Sequence, residues 1–225
     1  MPLSWHLLII SALCILLIGW ASQHLIKDAP KKTADTEGGA AKFQLPTKVI
    51  LPLGIIAFCG MTGEGAIADW SAIYMNKTVG MNEGFSALAF DSFAVAMTVG
   101  RLSGDYFIKR FGKRKILIIS SLLSFLGLGL ALILPSAYIV LVGFFFVGLG
   151  LANVVPIVYS TAGNTEGVSP SVGIAMATTI GYSGFFIGPP VIGFLSDAFS
   201  LQIGLVFTLV LFTVMFFLVY RKRQF

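Results

Sequence analysis

The chain has 225 residues, of which 56% are hydrophobic and 11% charged, and it carries a net charge of +5. Soluble domains carry about a quarter charged residues, so a water-coated single domain is excluded, and so is disorder, which needs low hydrophobicity with high charge. Only two cysteines are present, Cys14 and Cys59, both inside apolar runs; they exclude a disulfide-stapled module and read as buried membrane thiols.

The unit of organisation is therefore the membrane span, about 20 apolar residues. Seven runs qualify, giving an all-α polytopic helix bundle. The first is Leu3 to Ile26. Its n-region, Met1 to His6, has no basic residue, and the basic residues follow the run. A cleaved signal peptide needs the reverse, so residues 1–26 read as a retained span with its N-terminus outside. Residues 27–48, with Lys27, Lys31, Lys32, Lys42, Lys48 and the Gly38-Gly39-Ala40-Ala41 run, form a flexible cytoplasmic linker. Residues 49–225 hold the other six spans. These are Val49 to Tyr74, Phe85 to Ile108, Ile116 to Leu134, Ala137 to Ser160, Ser171 to Phe199 and Leu201 to Tyr220. Pro135 ends the fourth run, Pro170 opens the sixth, and Pro189-Pro190 are expected to break it. The runs are continuous rather than alternating, which excludes a β-barrel.

Charge sets the orientation. Placing the linker, the 109–115 turn and the C-terminus together gathers every one of the 15 basic residues except Lys77, with Arg101 counted among the loop charges. The positive-inside rule makes that side cytoplasmic. Topology thus accounts for the net charge, and no nucleic-acid partner is implied. No cysteine, histidine or carboxylate spacing suggests a metal, and no nucleophile-base cluster suggests an enzyme.

The junction of the third and fourth runs reads Gly100-Arg101-Leu102-Ser103-Gly104-Asp105, then Arg110-Phe111-Gly112-Lys113-Arg114. Gly100 and Gly104 form a small-xxx-small face for close helix approach. Asp105 lies four residues after Arg101, within reach of it, and Gly112 permits a tight turn. A charged latch of this kind holds one conformation and releases another.

This segment resembles the cytoplasmic loop motif of the major facilitator superfamily, in the form G-R-x-x-G-D-x4-R-x-G-x-R found between its eighth and ninth helices. Gly148 to Pro156 and Gly181 to Pro190 are similar to other parts of that family's C-terminal half. Glu64 to Trp70 resembles an uncharacterised bacterial inner-membrane subgroup. The resemblance implies a twelve-helix carrier in two halves. This chain would supply helix six (1–26), the central linker (27–48) and helices seven to twelve (49–225). Transport of a small polar solute by alternating access is implied, with a separate N-terminal half as partner, membrane lipid around it and no cofactor.

Charged groups at membrane depth are costly and mark pathways. Glu64 lies near the middle of its run and is a candidate proton site or substrate contact. Asp69 is five residues further on, a rotation of about 140°, so the two share no narrow face. Asp91, Thr98 and Asp105 are spaced seven apart along one face. Asn153 lines a cavity or bonds a neighbouring helix, and Pro156 bends its span. Gly181, Gly184, Gly188 and Pro189 suggest a close-packed gate helix. Trp70 and Tyr74 suit stacking on a sugar ring or anchoring at the outer interface. A seven-span receptor fits the same topology, although its retinal-binding version needs a lysine that Leu201 to Tyr220 lacks. A non-transporting remnant is the other alternative.

Overall fold

A computed structural model describes residues 3–23 and 47–221. They divide into two units, residues 1–44 and 45–225. In the first, α1 (Leu3–Ser22) carries no charged residue, and its apolar stretch is Leu8–Ser22. Most of the expected linker, including Lys27, Lys31, Lys32 and Lys42, lies outside the described residues, as do Lys222 and Arg223.

The second unit is a helix bundle made of α2 (Ile50–Lys77), α3 (Glu83–Phe111), α4 (Lys113–Ile133), α5 (Ala137–Leu151), α6 (Val154–Ala162), α7 (Pro170–Ala198) and α8 (Leu201–Arg221). Taking α5 and α6 as one span, six helices among the described residues are long and apolar enough to cross a membrane. Local chemistry sets their ends. The Asn82 side chain accepts from the Phe85 amide at 2.9 Å and caps α3. Gly112, at φ 82°, alone connects α3 to α4, a conformation that disfavours any residue with a Cβ. Pro170 opens α7, where its missing amide proton costs nothing.

The fifth and sixth runs depart from expectation. The fifth run is not one helix: it stops at Leu151 and restarts at Val154. Pro156 has no amide proton to offer the Ala152 carbonyl, which loosens the ladder at that point. The sixth run, by contrast, is not broken, because α7 continues through Pro189 and Pro190 to Ala198. Losing their two amide bonds, to Phe185 and Phe186, is tolerated within a helix of 29 residues held by its neighbours.

Helix α2 is the hub, packing on α3, α5, α6, α7 and α8. Helix α4 packs on α5 and α8, and α3 packs chiefly on α5 and α2. Tyr74, Phe144 and Phe212 are the largest fully buried side chains, and the Tyr74 hydroxyl donates to the Ala131 carbonyl at 3.0 Å. Cys59 is buried in this core, whereas Cys14 is exposed on α1 rather than buried as expected; both are free thiols.

Candidate functional site

Arg101 of α3 and Glu64 of α2 form the one ion pair among the described residues, Nη2 to Oε1 3.5 Å. Depth makes this pair notable. Glu64 is fourteen residues into α2, about 21 Å along a helix about 42 Å long. Arg101 is ten residues before the end of α3, about 15 Å from the Gly112 turn. It is therefore not a loop charge, as the sequence count had it, but a charge inside the span. Its partner is Glu64, not Asp105. A lone cation at that depth is costly, and a carboxylate on the neighbouring helix offsets the cost. The side chains remain 52% and 28% exposed, so the pair lies on an open face of the bundle instead of in its core.

Other candidates separate around this pair. Asp69 is exposed, with no ion pair among the described residues, and lies on a different face of α2 from Glu64, as the spacing predicts. Trp70 is partly buried against the core, its ring edge within about 4 Å of where a Cβ on Gly193 of α7 would sit. Tyr74 is fully buried and bonded to Ala131, so neither stacking on a sugar nor interfacial anchoring is open to it. Asp91, Thr98 and Asp105 are all exposed along one face of α3.

Asn153 sits at the break between α5 and α6 and donates from Nδ2 to the Gly100 carbonyl at 2.9 Å. A Cβ on Gly100 would stand 2.6 Å from the Ala152 Cβ, and one on Gly104 would strike the Asn153 amide. The two glycines thus dock α3 onto the α5–α6 junction. Asn153 is taken up by that seam, bonded to a neighbouring helix, and it also lines a groove between α3 and α4.

Basic residues of the loop motif then divide. Arg110 donates to the Tyr106 hydroxyl at 3.0 Å and lies over the Phe111 ring, 5.5 Å from its centroid. Lys113 donates to the Ser160 hydroxyl on α6 at 3.0 Å. Arg114 donates from Nη2 to the Tyr220 carbonyl in the last turn of α8 at 2.7 Å, where a cation also meets the negative end of the helix. The one-residue turn at Gly112 aims these two side chains at two different helices. Asp105 is exposed, with no hydrogen bond or ion pair among the described residues.

Along α7, Gly181, Gly184 and Gly188 are buried against α2. Added Cβ atoms there would meet Ala57 and Met61 at 3.0 Å, the Phe58 carbonyl at 2.7 Å and Thr62 at 2.7 Å. Pro189 lies beside this seam, half-buried.

The sequence reading missed the Glu64–Arg101 pair because the motif drew Arg101 into the loop. Counting back from Gly112 would have placed it at depth, where a basic residue calls for a counter-ion.

The family model of the Major Facilitator Superfamily matches residues 3–165 and 53–224. An uncharacterised MFS-type transporter of Yersinia pestis is 33% identical over 162 residues, 72% of this chain and 42% of that protein. Membrane protein MosC of Rhizobium meliloti is 34% identical over 188 residues, 84% and 45% of the two lengths. The chain thus spans less than half the length of these relatives. Among solved structures, a peptide transporter POT superposes with a TM-score of 0.71 at 17% identity, over 82% of this chain and 39% of its own. The POT family transporter PepTSo does so at 0.69 and 18%, over 80% and 38%. At those identities the likeness is one of fold.

Proposed function

The chain belongs to the major facilitator superfamily, and on that footing we propose that α2 to α8 form the C-terminal half of an alternating-access transporter for a small polar solute. The first helix then corresponds to helix six and residues 27–48 to the central linker. The N-terminus lies outside and the C-terminus in the cytoplasm, at the inner membrane.

The observation that carries this reading is the Arg101–Glu64 pair, a charged couple inside two helices long and apolar enough to span, with both side chains partly exposed. Such a pair is unsuited to lipid and suited to a water-filled path against a second half. A proton arriving at Glu64 neutralises it and frees Arg101, so the pair couples proton entry to a rearrangement of α2 against α3. Asp69, on the outer half of α2, lies along the approach. Gly181, Gly184, Gly188 and Pro189 give α7 a close, bendable contact with α2. Asp105, unpaired in this conformation, engages a cation in the other one, while Lys113 and Arg114 fasten α4 to α6 and α8 here.

Reconstitution tests the reading. The chain alone, in vesicles loaded with a pH-sensitive dye, is expected to give no solute-dependent acidification across a panel of small polar solutes. Co-reconstituted with an N-terminal half, it is expected to acidify the lumen with at least one of them. Robust solute-driven acidification by the chain alone would overturn the half-transporter assignment.

A further inference from the structure

Helices α3 and α4 leave the Gly112 turn and diverge, and α5 closes the floor between them. The wedge encloses a cavity of about 320 Å³. Phe107 and Phe111 of α3 and Ile119 of α4 line it and are 42%, 43% and 52% exposed, so it opens outward. Its walls are mostly apolar. Of the three polar side chains in its lining, Ser103 donates to the Val99 carbonyl at 2.8 Å and Asn153 to the Gly100 carbonyl at 2.9 Å, and the third is Ser120. Water would find few partners there, whereas hydrocarbon fits.

The position on α3 matters. Gly100, Ser103, Phe107 and Phe111 share one face, whereas Thr98 and Asp105 are rotated from it by about 160° and Arg101 by about 115°. A second half covering the charged face would leave this groove to the bilayer. Around the Gly112 turn, next to the lining residues Phe111 and Ile116, the chain is basic. Arg110 is held over the Phe111 ring by its bond to Tyr106. Exposed Lys115 directly precedes Ile116, which lines the wall. Lys113 and Arg114, by contrast, are engaged with Ser160 and Tyr220.

We propose that the groove between α3 and α4 is a binding site for one anionic phospholipid, with an acyl chain along Phe107, Ile119 and Leu123 and its phosphate at Arg110 and Lys115. The apolar wedge supplies the fit for the chain, and the two exposed cations select the headgroup. A lipid seated there wedges α3 from α4 beside the Gly112 turn, and so bears on the Asn153–Gly100 seam that forms the groove floor.

Native mass spectrometry of the purified chain, titrated with dioleoyl phosphatidylglycerol and dioleoyl phosphatidylcholine, tests this. One phosphatidylglycerol is expected to be retained about 30-fold more tightly than phosphatidylcholine, as two interfacial cations imply. Ser103→Phe fills the wedge and is expected to abolish retention of both lipids. Ile119→Trp, at an exposed wall position, is expected to do the same should the first variant not fold. The pair Arg110→Gln and Lys115→Gln is expected to retain either lipid equally. Equal retention by the unaltered chain, undiminished phosphatidylglycerol binding by both filled variants, or a lipid-free dimer closed over the groove would overturn the proposal.

Discussion

The Asn153 side-chain amide of the α5–α6 junction donates to the Gly100 carbonyl of α3 at 2.9 Å, and the same amide fills the space that a side chain on Gly104 would need. Two glycines and one asparagine thereby fix the approach of α3 to the break in its neighbour. The break puts Asn153 where a continuous helix would place an ordinary apolar contact, and the missing Cβ atoms let the helices close around it.

Gly104→Ala is expected to lower the melting temperature of the detergent-solubilised chain, since overpacking costs about 1–3 kcal/mol. Asn153→Ala alone should cost less, about 1 kcal/mol for a neutral hydrogen bond. The double variant should recover part of the Gly104→Ala loss, because the amide that obstructs the new methyl is gone. Strict additivity would show that the two residues do not share a contact.

Gly184→Ala places a methyl 2.7 Å from the Phe58 carbonyl, a backbone atom that cannot swing aside. It should destabilise the α2–α7 seam despite the better helix propensity of alanine. Gly129→Ala on α4 meets only Leu209 Cδ1 at 3.8 Å. It should be neutral or stabilising by up to about 1 kcal/mol, the intrinsic advantage of alanine over glycine. Thermal denaturation of the two variants side by side reads the difference.

Arg114→Met removes the donor to the Tyr220 carbonyl and should loosen the last turn of α8. Hydrogen exchange of residues 217–221 is expected to speed up several-fold, with α3 unaffected. Lys109→Met, an exposed residue for which no bond is seen among the described residues, should leave that exchange unchanged.

Much of this architecture was legible in the sequence. Long apolar runs and terminal Gly and Pro residues located the helices, because the bilayer demands continuous hydrophobic length. The glycines at 100, 104, 181, 184 and 188 revealed close approach, since only a missing Cβ gives that pattern a purpose. Pairing across helices was less legible. Spacing along one helix favoured Arg101 with Asp105, yet the geometry gives Arg101 to Glu64, because burial makes an unpartnered mid-membrane carboxylate more costly than a wet one at a helix end. Pro189-Pro190 read as a break, but the packing around α7 carries the helix through. Tyr74 read as an outer aromatic, but its hydroxyl found a carbonyl inside the bundle.

The central claim is that Glu64 and Arg101 couple a proton to movement of solute. Glu64→Gln, introduced into the protein reconstituted with both halves, is the direct test, measuring uptake driven by a pH gradient and solute exchange without one. Loss of gradient-driven accumulation with exchange preserved is the predicted result. Undiminished gradient-driven accumulation by Glu64→Gln would contradict the account.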